Sequence, residues 1–169
     1  MPYKGSYVEW LRSRVGEGVL VLPTIDVIAM RDGKFLMVLN KDFEKWVFPG
    51  GYVERDDTWR ESAARELLEE GGLSANPSDL QPIAIMSGKK HHLRYKNGDE
   101  TQVFSVAFLA DKFTSESDDF DKEEVGDKKW FTPDEIDNLE LYPCHAELWA
   151  AYKNFVKTGE FQVAGESMI

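Results

Sequence analysis

A single cysteine, Cys144, occurs in 169 residues. That excludes an intrachain disulfide and suits a reducing compartment. Long apolar runs are missing as well. The longest, Val19 to Met30, is broken by Pro23, Thr24 and Asp26, so it cannot span a bilayer. Positive charge is scarce: 20 Lys and Arg stand against 31 Asp and Glu, a net charge of −11, with a pI near 4.7. Phosphate backbones need a basic footprint, so long nucleic acid is excluded as a partner. A small anionic substrate stays compatible where metal ions neutralise the site locally. No basic-then-apolar leader, internal repeat or interdomain linker is legible. The expectation is one cytoplasmic domain over residues 1–169 with no membrane partner.

What is present reads as a mixed α/β chain whose sheet is packed between helices. Ser6 is placed to cap a helix over about 6–15, with Val8, Leu11 and Val15 at helical spacing. Val19–Met30 reads as a strand, and Asp32-Gly33 as a hairpin turn into Lys34–Leu39. A short strand, Trp46–Phe48, precedes the turn Pro49-Gly50-Gly51. Thr58 and Glu61 form a capping-box pattern, and Gly71-Gly72 stop the helix they start. Leu80–Ser87 and His91–Tyr95 look like strands. Lys96-Asn97-Gly98-Asp99 then turns into Thr101–Ala110. Lys128–Phe131 is the expected last strand, and Cys144–Val156 the final helix, about 144–157. The acidic stretch Ser115–Asp127 reads as a surface loop and Gly159–Ile169 as a loosely packed tail.

Residues 50–73 carry the chemistry. The paired glycines run into a helix bearing Arg65, Glu66, Glu69 and Glu70. At about 100° per residue, the three glutamates fall within roughly a 100° arc. Ala63, Ala64, Leu67 and Leu68 take the facing arc. Like charges that close repel unless a cation sits among them. Mg²⁺, with Mn²⁺ as a substitute, suits a set of oxygen ligands. A surface helix laced by Glu61–Arg65 and Arg65–Glu69 pairs is the plainer reading. It explains neither the double glycine nor three clustered acids.

Other signals are weaker. Adjacent side chains diverge on a helix, so Cys144 and His145 read as packing residues rather than a thiol–imidazole pair. His91 and His92 point to opposite faces of a strand and read as surface or cleft polar residues. Asp119, Asp121 and Glu123 alternate like calcium ligands, but Glu124 stands where such a loop needs glycine. The tryptophans read mostly as core anchors.

The arrangement Gly51, five residues, Asp57, seven residues, Arg65-Glu66-Leu67-Leu68-Glu69-Glu70-Gly71-Gly72-Leu73 resembles the Nudix box. That pattern is Gly-x5-Glu-x7-Arg-Glu-U-x-Glu-Glu-x-Gly-U, with U aliphatic. Every specified position matches except Asp57, one methylene shorter than the usual Glu. Tyr7–Gly16, Ser87-Gly88, Tyr95–Glu100 and Trp130–Ile136 are similar to stretches of small bacterial Nudix proteins, so the resemblance reaches most of the chain.

The resemblance implies a Nudix α/β/α sandwich with a mixed sheet between helices. It implies hydrolysis of a pyrophosphate bond in a nucleoside diphosphate linked to another moiety, or a related triphosphate, releasing a nucleoside monophosphate. By motif position the metal ligands are Glu66, Glu69, Glu70 and the Gly51 carbonyl, with Arg65 orienting the glutamates. The catalytic set is Arg65, Glu66, Glu69 and Glu124. The general base is either a box glutamate or an acid of the later loop, where Glu124 and Asp127 match and Glu124 is the candidate. Residue markers of the ADP-ribose and dinucleoside-polyphosphate subgroups are missing near Gly88–Lys90, which leaves the substrate open. The alternative is a nucleotide-sensing Nudix domain without turnover. An isoprenyl diphosphate isomerase would need a reactive cysteine in a cleft. A homodimer through the N-terminal helix and first strand is the family expectation.

Overall fold

The structure, a computed structural model, describes residues 6–165. It opens with α1 (Tyr7–Val15), whose capping box is complete: Ser6 Oγ accepts the Glu9 N–H and the Glu9 carboxylate accepts the Ser6 N–H. Then come β1 (Val19–Arg31) and β2 (Lys34–Asn40), joined at Asp32 (φ 50°) and Gly33 (φ 72°). Two positive φ values are what a two-residue type I′ hairpin needs. The order continues β3 (Lys45–Val47), β4 (Gly50–Tyr52), α2 (Trp59–Gly71), β5 (Leu73–Ser74), β6 (Gln81–Met86), β7 (His92–Arg94) and β8 (Glu100–Ala110). It closes with β9 (Ser115–Glu116), β10 (Val125–Phe131), α3 (Pro133–Asp137), α4 (Pro143–Thr158) and β11 (Gln162–Ala164).

The main sheet runs β10-β2-β1-β8-β6-β11. It is mixed: β1 is parallel to β8 and β11 to β6, while the other pairings along this path are antiparallel. Helices cover both faces. Ile25, Val27 and Ala29 pack under α2 with Ala63 and Leu67. Ile28, Phe35 and Met37 pack on the other side with Leu148, Trp149 and Tyr152 of α4. Burial on both faces is why β1 reads as a near-continuous apolar run.

One departure from a regular sheet positions the site. β1 and β2 pair beside their hairpin, at Met30–Phe35 and Arg31–Lys34. Farther along they take different partners: β4 pairs with Thr24–Asp26 of β1, and β3 with Val38–Asn40 of β2. The sheet splits there, and a cleft opens between the halves.

Several expectations need correction. Gly50-Gly51 is not a turn but the first two residues of β4, because its backbone completes the Ile25–Asp26 ladder. His91 lies in a 3₁₀ turn, Lys89–His91, so the strand begins at His92. β10 starts three residues early, at Val125, with an irregular register before Lys128. α4 begins at Pro143, whose fixed φ and missing N–H suit the first helical position. The acidic stretch is not merely a loop, since β9 pairs with β5. Nor is the tail wholly loose: β11 pairs with Ala84–Met86, while residues 166–169 lie outside the described residues. Among the described residues no helix is long and apolar enough to cross a membrane.

The acidic segment is tied down because α2 ends with unsatisfied carbonyls. Asp121 N–H donates to Glu69 O at 2.7 Å, Ser117 N–H to Gly72 O at 2.8 Å, and Lys128 Nζ to Gly71 O at 3.2 Å. Gly72 caps the helix with φ 67°, and a Cβ there would meet Ser117 O at 2.2 Å. Gly72→Ala therefore combines left-handed strain with a backbone clash, and a loss of about 2 kcal/mol is expected in urea unfolding. Gly159→Ala has a similar φ of 72° but open space, and is expected to lose about 1 kcal/mol or less. Equal losses would refute the clash.

Candidate active site

Glu66 and Glu70 are 9% and 4% exposed, although both are carboxylates. Their place on the inner side of α2 follows from its apolar stripe: Ala63 and Leu67 anchor the helix to β1 and turn the neighbouring positions inward. The glycines of β4 make room. A Cβ on Gly51 would lie 2.5 Å from Glu66 Oε1, and one on Gly50 would lie 2.4 Å from Ile25 O. The Gly50 N–H donates to Glu70 Oε2 at 2.9 Å. The double glycine is thus a strand seated against two buried acids.

Arg65 ties the wall together. Its Nη1 donates to Glu66 Oε1 at 2.7 Å and Glu69 Oε2 at 3.1 Å, and its Nη2 to the Tyr52 carbonyl at 3.0 Å. Its Nε donates to Asp57 Oδ2 at 3.3 Å, an oxygen that Ser62 Oγ also reaches. Asp57 therefore braces the arginine. The expected Glu61–Arg65 pair does not form, because the Glu61 carboxylate accepts the Thr58 N–H as part of the helix cap.

These residues form one wall of a cleft of about 290 Å³, lined by eight carboxylates and a single guanidinium. Glu124 reaches its rim from the acidic segment, while Asp127 does not line it. The floor is Thr24 to Asp26 of β1, where Asp26 Oδ2 accepts from Ser105 Oγ at 2.5 Å. The far side carries Cys144 and His145 of α4, together with His91, Phe43 and Tyr95.

Crowding and burial set the electrostatics. Burial pushes the Glu66 carboxyl up to about 7, against the pull of Arg65. Burial and the neighbouring Glu66 hold Glu70 well above the ordinary carboxylate range. Glu124 is raised by partial burial and by Asp121 and Asp42. His145 is driven toward its neutral form by burial. Carboxylates kept protonated by desolvation and mutual repulsion are the condition that a hard divalent cation relieves. The donor set and the glycine cradle fit such an ion. Among the described residues no three acidic, histidine or cysteine side chains are gathered into a ready ligand cage. Glu66 and Glu69 turn toward Arg65, and Glu70 toward Gly50.

All the acids expected from the box lie on this wall with Gly51, and Glu124 joins them at the rim. Sequence reasoning passed over Asp26, which reads as a polar break in a strand. It took Cys144 and His145 as packing residues and left His91 between the surface and a cleft. All three are buried and line the cleft. His91 Nε2 is 2.7 Å from Glu147 Oε2, a pairing between distant segments that local spacing cannot reveal.

An α/β/α sandwich with a box helix against a glycine strand defines a family. The NUDIX domain model matches residues 21–154, and the chain belongs to that family. Over 56 residues it is 45% identical to the phosphatase NudJ of Escherichia coli, a match covering 32% of this chain and 37% of that protein. The chain thus aligns with little over a third of the curated relatives' length. Among solved structures it resembles the E. coli ORF135 protein, with 22% identity and a TM-score of 0.61 over 84% of this chain and 94% of that one. It also resembles the NUDIX domain of Shewanella oneidensis NrtR complexed with ADP ribose, with 17% identity, a TM-score of 0.60, and coverage of 90% and 99%. An ADP-ribose pyrophosphatase from Streptococcus suis matches at 19% identity and a TM-score of 0.53, covering 85% and 97%.

The raised carboxyls have a measurable consequence. With a folded-state value near 7 against 4.5 for the free side chain, Glu66 holds its proton in the fold and loses it in the unfolded chain. Its contribution is present below about pH 4.5 and is lost as pH rises through 7. In metal-free protein, Glu66→Gln should therefore gain on wild type between pH 5 and 8, by up to about 3 kcal/mol. Urea unfolding in chelator reads the gap. Saturating Mn²⁺ should reverse its sign, and a pH-independent gap would refute the argument.

Proposed function

We propose that the protein hydrolyses a pyrophosphate bond in a nucleoside diphosphate linked to another group, or in a related nucleoside triphosphate. The reaction is divalent-metal-dependent and releases a nucleoside monophosphate. The observation that carries this reading is the buried pair Glu66 and Glu70, set with Glu69 and Glu124 around the Gly50-Gly51 strand. Mg²⁺, with Mn²⁺ as a substitute, would be held by Glu66, Glu69, Glu70 and the Gly51 carbonyl. Such an ion supplies Lewis-acid polarisation of the phosphoryl oxygens.

The chain's own groups do the rest. Arg65 fixes the directions of Glu66 and Glu69 and is itself held by Asp57 and the Tyr52 carbonyl. A carboxylate takes the proton of the attacking water: Glu124 from the rim, or Glu66 or Glu69 from the helix. Raised proton affinity suits both Glu66 and Glu124 to that task. A small nucleotide-derived substrate is supported by the acidic chain and by the ADP-ribose complex and pyrophosphatase among the structural relatives. The intact set of Glu66, Glu69 and Glu70 favours turnover over nucleotide sensing alone. A buried free thiol fits a reducing, cytoplasmic setting. Val19 and Val21 of β1, with Phe104 beside them, are exposed and support a homodimer through α1 and β1.

The test is a panel of nucleoside diphosphate derivatives and triphosphates, assayed with and without Mg²⁺, with products identified by mass. Hydrolysis is expected only with the metal. Glu69→Gln and Glu70→Gln should each lower kcat on the order of 100-fold or more, and Glu124→Gln on the order of tenfold to 100-fold. Circular dichroism should show the fold unchanged. Near-normal rates in Glu70→Gln would rule out this site.

A further inference from the structure

The cleft is short of donors. Its one guanidinium is committed to Asp57, Glu66, Glu69 and the Tyr52 carbonyl. The Tyr52 hydroxyl is tied to Tyr95 and Thr101 at 2.6 and 2.9 Å, and His91 to Glu147. A diphosphate offers acceptor oxygens throughout, so it needs N–H or O–H groups beyond whatever neutralises its charge.

His145 is free to supply one. It is 7% exposed, lies in the first turn of α4 and lines the cleft. Its Nδ1 accepts the Phe48 N–H at 3.4 Å, which leaves the ring proton on Nε2. Nε2 has no partner among the described residues. Among the described residues the one fully buried side-chain polar atom lacking a hydrogen-bond partner is Arg12 Nε, so His145 Nε2 keeps some solvent access on a residue that lines the cleft. The ring is held by Phe48 on one side and has Asp26 Oδ1 4.0 Å from Nδ1. Asp26 pairs with Gly50, whose N–H holds Glu70, so one strand links this imidazole to the glutamate wall. The helix end adds to the same potential: Tyr142 provides no side-chain cap and the first turn holds no acid.

We propose that His145 is a substrate-contacting residue whose Nε2–H donates to an oxygen of the diphosphate on the side of the cleft opposite α2. This rests on the pyrophosphate-cleaving reading of the site. The two walls then divide the work. α2 carries carboxylates for the cation, and α4 carries a neutral donor for the anion.

The test uses the full chain labelled with ¹⁵N in histidine, with His145→Gln identifying the signal by its loss. The Nε2–H resonance is followed with Mg²⁺ alone, with Mg²⁺ and AMP, and with Mg²⁺ and inorganic phosphate. It should stay put with Mg²⁺ alone and shift with AMP or phosphate. A signal indifferent to both anions overturns the proposal, and so does one that moves with Mg²⁺ alone. For a diphosphate that the wild type hydrolyses, His145→Phe should raise KM about tenfold, and His145→Gln, which keeps an N–H at similar reach, should recover most of it. Urea midpoints confirm that both variants fold. An unchanged KM in a folded His145→Phe overturns the proposal while leaving the pyrophosphatase reading intact. If the wild type hydrolyses neither a diphosphate derivative nor a triphosphate, that reading fails, and the imidazole signal still decides whether His145 meets an anion.

Discussion

The structure depends on keeping two glutamates, Glu66 and Glu70, inside a protein that carries a large excess of negative charge. Desolvating a carboxylate costs several kcal/mol unless it is protonated, paired or bound to a cation. Each neighbouring feature answers that cost. Arg65 shares its guanidinium among the acids, the Gly50 N–H donates to Glu70, and glycine at position 51 leaves space for the Glu66 carboxylate. Asp57 and the Tyr52 carbonyl hold the arginine itself. A shorter acid at position 57 is sufficient for this role, because its task is to reach the arginine and Ser62.

The split sheet is the second half of the arrangement. Had β1 and β2 paired along their whole lengths, Asp26 would lie beneath a continuous sheet with its carboxylate facing only α4. Because β4 and β3 replace those pairings, the acids of α2 and the first turn of α4 share one opening. The acidic segment closes the rim for a separate reason. It satisfies the carbonyls at the end of α2, and that brings Asp121 and Glu124 over the cleft.

Much of this was legible in the sequence where the cause was local. The Ser6 cap, the capping box at Thr58, the Asp32-Gly33 turn and the periodicity of α2 each rest on residues within one or two turns of each other. The box acids were legible because helical spacing alone puts them together. What stayed hidden depends on contacts between distant segments. β11 owes its strand to β6, and β9 owes its pairing to β5. His145 looked like a packing residue because adjacent side chains on a helix diverge, which argues against a pair with Cys144. Only the approach of Phe48 and Asp26 shows that the ring is oriented rather than merely buried.

The composition of the cleft also bears on selectivity. With eight carboxylates and one committed guanidinium, nothing in it resembles the lysine and arginine cluster that grips a chain of phosphates by charge alone. On the proposed reading, anion binding is therefore conditional: without a cation the wall would repel phosphate, and with one the same carboxylates would become its anchors. A neutral imidazole on the opposite wall adds direction without adding charge, so it cannot hold an anion that arrives without its metal. Under that reading, conditionality would separate a diphosphate carried with its cation from the free anions of a cell, and it would follow from the buried glutamates that shape the fold.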